Sequence, residues 1–511
     1  MCLTHITNSK YNIILLESTN RLNIMLCKGK LVITMVLGVV FIILPIISTL
    51  LDPVTILVNH NTRVTENSFM FELFQKEVEG AHVSLYIFNV TNADRFMDGK
   101  DHKLKVEEVG PFTYAEIRQN VDIDLNEESG ELEFTPRMKL RFIPEESVAD
   151  PEDVNITVPN LALLSATSLL STYPSWIQQG YNFLVSQQNY HSISSFNVHS
   201  YLWGYNDPLI ALANKLVPGL IYFDKLGIID RLYENKTMYR MKVGITDIDR
   251  FSIKTLKKYI RETDWAKHSP LECYNFTDTY EGVSYPPGLT LETPLNLFRI
   301  GVCRALDLEF QDKIAMDYGA EAWQYKISDR TFTKDCNTNK GVCGMLDLSN
   351  CTYGIPIAMS RAHFLDTDPK LYERIEGISP DPKIHDSILL IEPKIGFTLS
   401  TTLSLQMNIN LGDISFNEAT HSFSNMVLPV AYIKVVQQDV FSELDYVLKL
   451  IHTTGPNILI TIDIILFLIG VILLAYSGVV AYKNKCCDKQ TKSAHIPNEK
   501  QSAPLIGCHS T

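Results

Sequence analysis

The residues in this chain best suited to do chemistry are its thiols, and their spacing decides which chemistry. Five of the ten cysteines lie in the long central stretch: Cys273, Cys303, Cys336, Cys343 and Cys351. Closely spaced thiolates hold zinc or oxidise to disulfides. The run "CNTNKGVCGMLDLSNC" lacks the paired C-x-x-C knuckles of a zinc site, and no histidine joins it. No metal is expected, and disulfides in an oxidising compartment are the expected use. The odd count leaves at least one thiol unpaired or bridged to another chain. Other reactive patterns are lacking. There is no G-x-S-x-G elbow, no H-E-x-x-H pair and no glycine-rich phosphate loop with a lysine. No catalytic residue is nominated. The chain reads as a non-enzyme with no cofactor and no nucleic-acid partner.

An oxidising space implies a membrane between the thiols and the cytosol. Two stretches are apolar enough to provide the crossing, Leu31 to Leu51 and Ile458 to Tyr482, the second with Asp463 as its only charge. About 20 apolar residues in helix span a bilayer core about 30 Å thick. The first stretch is too long for a signal-peptide core and lacks a small-residue cleavage site, so it reads as a retained anchor. Lys28 and Lys30 precede the first span, and Lys483, Lys485 and Lys489 follow the second. Basic flanks favour the cytoplasm. The expected organisation is a cytoplasmic tail (1–30), a membrane helix (31–51), a lumenal or extracellular ectodomain (52–457), a second membrane helix (458–482) and a cytoplasmic tail (483–511). The ectodomain carries 36 Lys and Arg against 54 Asp and Glu. Met25, just before "LCKGK", offers an alternative start.

The elements that must position the cysteines are mixed. "HVSLYIFNV", "RMKLRFI" and "LSLQMNINL" alternate apolar and polar residues, as strands with one buried face do. Helical spacing recurs at Ser68–Val78, Leu161–Leu170 and Asp207–Val217. Five N-x-S/T sequons, at Asn89, Asn155, Asn235, Asn275 and Asn350, all fall between the spans, as glycosylation in a secretory route requires.

Several segments in order resemble the class B scavenger receptors: "LYIFNVTNADRF", "VEEVGPFTY", "LWGYNDPL", "SYPPG", "GVCRALDLEF", "GMLDLSNC", the long run from "AHFLDTDPKLYERIEGISPDPKIHDS" to "LSLQMNINL", and "NMVLPVAYI". The absence of a C-x-C pair is similar to the lysosome membrane protein branch of that family. The resemblance implies an α+β fold: a large ectodomain with an antiparallel β-barrel core and an apical helical bundle, anchored by two transmembrane helices. It implies disulfides Cys303–Cys351 and Cys336–Cys343, with Cys273 a free thiol. It also implies an apolar tunnel that carries sterols, fatty acids or phospholipids.

The branch further implies a lysosomal or late endosomal membrane and a lumenal hydrolase cargo such as β-glucocerebrosidase. In the tail "SAPLI", Leu505 and Ile506 resemble its sorting signal for cytosolic clathrin adaptors, with Gln501 where an acidic residue is usual. Cys486 and Cys487, just inside the membrane, are candidate palmitoylation sites. The alternative is a plasma-membrane scavenger receptor for lipoproteins or apoptotic cells. No Lys or Arg occurs from Phe142 to Asn214, the expected helical apex, which disfavours capture of polyanions there. Leu161, Leu163, Leu164, Leu169 and Leu170 fill a core or, on an exposed helix, dock a partner; Leu161 and Leu164 are the candidate contacts. His191 and His199 are candidate partner-binding residues that acquire charge as pH falls.

Overall fold

The segment "VEGAHVSLYIFNV" forms the strand Val78–Val90, with Ala81, Val83, Leu85 and Ile87 buried on one face. Its period of two matches the pleat, and β-branched and aromatic residues fill it. The computed structural model describes residues 29–188, 190–216, 225–233, 238–261, 264–265, 275–316, 319–333, 343–352, 354–437 and 442–493. Two compact units result, one made of residues 1–57 and 450–511, the other of residues 58–449.

The larger unit is built on a 16-stranded sheet. Val78–Val90 lies between Leu104–Asn126 and Val427–Gln437, antiparallel to both. From Leu104–Asn126 the sheet continues through Glu131–Phe142 and Met238–Gly244 to Ile253–Arg261. From Val427–Gln437 it continues through Phe397–Asn410, Ile388–Glu392, Glu321–Ile327 and Arg304–Ala315 to Asn296–Arg299 and Thr279–Tyr280. A bridge between Ser252 and Tyr280 joins the two ends, so the sheet nearly closes into a barrel. Gly110 permits a bulge in this wall. Its φ is +155°, and a Cβ there would lie 2.6 Å from the Leu85 carbonyl oxygen.

The three strand patterns read from the sequence all lie in this sheet. The first helical pattern forms only Phe69–Gln75, with the Ser68 hydroxyl accepting from the Phe71 amide at 3.2 Å. It stops short of Val78 because Lys76 is extended and Val78 already pairs with Arg118 in the sheet. The helix Leu161–Leu170 forms as read, and the third pattern forms Pro208–Leu216. Further helices are Ser175–Gln187, Val198–Trp203 and Ile228–Leu232.

The smaller unit contains two long apolar helices. One runs Gly29–Leu51; the other, Gly455–Ser493, follows a π-helical turn at Leu450–Thr454. Only 11% and 6% of their most apolar stretches are buried. Val32, Leu50, Ile472 and many neighbours are exposed, a surface that suits lipid and not water. Where the helices meet, a Cβ on Gly470 would lie 2.9 Å from the Gly38 carbonyl oxygen, and the Ser477 hydroxyl lies 3.0 Å from that of Thr34. Small residues and a shared hydroxyl bond are how helices associate in lipid.

Candidate functional site

Within the larger unit the strands surround two adjoining cavities. One, of about 1270 Å³ out to its open mouth, is walled by Met70, Leu73 and Phe74 of the first short helix and by Phe134, Val243, Phe251 and Phe397. The other, of about 710 Å³ likewise counted out to its open mouth, is walled by Met138, Met359, Leu403, Leu405, Ile433 and Val435. These walls follow from the alternation of the strands, which sends every second side chain inward. The interior is predominantly apolar, as ligand sites are. Glu116, Glu281 and Arg299 line both cavities and mark where they adjoin.

The polar groups at that junction come from distant parts of the chain. Glu116 and Arg118 share one face of Leu104–Asn126, two residues apart. Arg118 is ion-paired with Glu281 and lies 3.3 Å from Glu116. The Tyr233 hydroxyl donates to Glu116 at 3.1 Å. Burial, reinforced by the Glu116 charge, pushes the Tyr233 pKa well above its ordinary value, so the phenol stays a donor. Burial also lowers the Arg118 pKa, opposed by the neighbouring Glu116. The single sequence signal for this site was a Glu-x-Arg pair inside an otherwise inward-facing strand pattern. Arg299 and Glu281 carried none.

Cys303 and Cys351 form a disulfide across 48 residues, with Cα atoms 6.5 Å apart. Cys303 ends the turn that follows Asn296–Arg299, and Ile300, Gly301 and Val302 of that turn line the smaller cavity. The Arg299 carbonyl accepts from the amides of Val302 and Cys303 at 3.0 and 2.9 Å. Cys343 is disulfide-bonded as well. Cys336 and Cys273 lie outside the described residues.

A second polar cluster lies on the barrel wall. Glu108, His363 and His385 place a carboxylate and two ring nitrogens within 4.8 Å of one another. The tautomers decide what this cluster is. His363 Nδ1 accepts from the Ser379 amide at 3.1 Å, and His385 Nδ1 accepts from the Asp381 amide at 3.0 Å. Each Nε2 therefore carries the proton, and His363 donates it to Glu108 at 2.9 Å. A metal bound at these Nε2 atoms would require an imidazolate or the loss of both amide bonds, and as they stand the residues form a hydrogen-bonded clasp. Burial, with the neighbouring His363 second, pushes the His385 pKa down to about 4.

The helical region corrects one expectation. Leu161 and Leu164, considered as partner contacts, are 8% and 0% exposed. They pack with Val158, Val198, Tyr201 and Leu202. Most of their helix is buried, from Leu161 to Ser165 together with Thr167, and Leu169 is exposed at 36%. The most exposed apolar groups lie on the next helix, Ser175–Gln187, where Trp176, Phe183 and Leu184 are exposed and Tyr181 and Val185 are buried. Their spacing was the signal that could have found them. His191 and His199 are exposed. Asn155, Asn275 and Asn350 are exposed as well. Asn89 instead sits in a strand, its Nδ2 donating to Glu107 and its Oδ1 accepting from the Thr157 amide. Asn235, Leu505 and Ile506, and the side chains of Cys486 and Cys487, lie outside the described residues.

Comparison with known proteins agrees with this architecture. The chain is similar to scavenger receptor class B member 1 of Bos taurus, 24% identical over 92% of this chain and 95% of that protein. It is similar to lysosome membrane protein 2 of Rattus norvegicus, 25% identical over 81% and 87%, and of Homo sapiens, 26% identical over 71% and 76%. The pattern of the CD36 family matches residues 32–481. With a nearly closed barrel, two apolar terminal helices and that match over most of its length, the chain belongs to the CD36 family.

Proposed function

We propose that this scavenger-receptor-like membrane protein takes up lipids, such as sterols, fatty acids or phospholipids, and passes them through the interior of its barrel. The observation that carries the reading is the pair of adjoining apolar cavities enclosed by the sheet. Such a path moves acyl chains while keeping them from water, which costs about 25 cal/mol per Å² of exposed apolar surface. In this reading residues 52–457 are lumenal or extracellular, both tails are cytoplasmic, and the protein resides in lysosomal or late endosomal membranes. Its similarity to proteins named lysosome membrane protein 2 supports that location, whereas similarity to scavenger receptor class B member 1 favours the plasma membrane as the alternative. The test is lipid transfer by the full chain in vesicles. Val435→Trp, which fills the smaller cavity, should suppress transfer of fluorescent sterol and fatty acid alike. Transfer at the wild-type rate would rule out this path.

A second role, escort of a lumenal hydrolase such as β-glucocerebrosidase, is favoured by the exposed Trp176 and Phe183 on an uncharged helix. Pulldown with Trp176→Ala and His191→Ala, at neutral and acidic pH, tests it. Unchanged capture by both variants at both pH values would remove this surface from the role.

A further inference from the structure

The junction between the two cavities holds four charged side chains: Glu116, Glu281, Arg118 and Arg299. Three are engaged with one another, through the Arg118–Glu281 and Arg118–Glu116 pairs. The Arg299 guanidinium makes no hydrogen bond or ion pair with any described residue. A cation facing an apolar cavity is costly unless an anion or water meets it. Its backbone, meanwhile, is fixed by the two amide bonds of the disulfide-anchored turn. A mobile surface arginine would simply turn to solvent; this one is held at the point that a lipid must pass.

We infer that Arg299 is the headgroup anchor for an amphiphile bearing a single carboxylate, whose hydrocarbon chain lies in the larger cavity. The inference rests on the conduit reading above and adds selectivity to it. A guanidinium meets a carboxylate with two parallel N–H···O bonds, and those bonds are strong where water is excluded. The opposed charges of the other three groups leave a neutral alcohol or sterol without comparable gain. Glu281 and Glu116 repel the same carboxylate, so the anchor holds the headgroup without trapping it, as passage requires.

The experiment uses the full chain in phosphatidylcholine nanodiscs with diazirine analogues of oleate and of oleyl alcohol. Cross-linked peptides are read by mass spectrometry. Wild type should label peptides containing Glu116, Glu281 or Arg299 with oleate about tenfold more than with oleyl alcohol, the factor expected of one charge-assisted contact. Arg299→Met should abolish that preference while alcohol labelling persists, which also shows that the variant is folded. Arg299→Lys should restore part of it. Glu281→Gln, which releases Arg118, should raise oleate labelling. Equal labelling by both probes in wild type, or an oleate preference that survives Arg299→Met, overturns the anchor and leaves the conduit standing. No labelling of the cavity peptides by either probe overturns the conduit and the anchor together.

Discussion

The Cys303 amide donates to the Arg299 carbonyl at 2.9 Å, so the disulfide-bonded turn and the unpaired cation of the cavity form one hydrogen-bonded piece. The bridge therefore serves both stability and the position of a cavity wall. Cys303→Ser should lower the stability of the full chain by about 2–5 kcal/mol, the usual cost of losing a native bridge. Cys351→Ser and the double variant should lose the same amount, because all three remove one bond. Thermal unfolding with and without reductant measures this. A double variant that loses twice as much as either single would show that the thiols act separately.

The clasp of Glu108, His363 and His385 gives stability a pH dependence. His385 titrates near 4 in the folded protein against about 6.5 when unfolded, because burial disfavours its charge. Between those values the unfolded chain binds the extra proton, so stability falls as pH drops from about 6.5 towards 4. His385→Gln leaves an amide oxygen to accept from Asp381 and nothing to titrate. The slope of melting temperature against pH over that interval should be shallower in this variant than in wild type. An unchanged slope would assign the acid sensitivity to other groups.

Much of this fold was legible because period-two alternation is a local property. "HVSLYIFNV" and "LSLQMNINL" announced strands, and both lie in the barrel. Alternation could not show that the polar face of the second is covered. Ser404, Gln406 and Asn408 are all buried: the Gln406 side-chain oxygen accepts from the His363 amide, the Asn408 amide donates to the Ser360 hydroxyl on the neighbouring strand Ile357–Arg361, and the Ser404 hydroxyl has no hydrogen-bond partner among the described residues. A polar face that reads as solvated is covered instead, with its two amide side chains satisfied internally. The cavity junction was illegible for a related reason. Glu116, Arg118, Tyr233, Glu281 and Arg299 converge only after the sheet curls round, and no short window contains more than two of them.

The helical region offers a direct comparison of core and surface. Leu164→Ala should cost about 2–5 kcal/mol of stability, as truncation of a fully buried leucine does. Trp176→Ala, at a side chain 74% exposed, should stay within about 0.5 kcal/mol of wild type. Thermal or denaturant unfolding distinguishes them. A large loss at Trp176 would mean that this ring packs against something in the folded chain and is not an open contact.

The sequons should differ in occupancy. Asn155, Asn275 and Asn350 are exposed, and at Asn275 the Thr277 hydroxyl donates to Oδ1 at 2.6 Å. A glycan on Asn89 Nδ2 would crowd the bond to Glu107 within the sheet. Enzymatic deglycosylation in heavy-oxygen water should convert Asn155, Asn275 and Asn350 to labelled Asp, with Asn89 labelled least. Full labelling at Asn89 would show that the strand tolerates the sugar.

The last prediction concerns the end of the tail, "NEKQSAPLIGCHST", whose only large apolar residues are Leu505 and Ile506. In the reading proposed above this tail is cytoplasmic, where such a pair can serve as a sorting signal. Adaptor recognition of such a pair is usually reinforced by an acidic residue four positions earlier, where this chain has the uncharged Gln501. Loss of that charge-assisted contact weakens docking without abolishing the apolar contact. Leu505→Ala with Ile506→Ala should therefore raise the cell-surface fraction of the full chain, and Gln501→Glu should lower it below wild type. Surface biotinylation measures both. The two variants must move in opposite directions if the pair is a sorting signal read from the cytosol; a surface fraction indifferent to both would reduce the pair to two ordinary residues of a solvated tail.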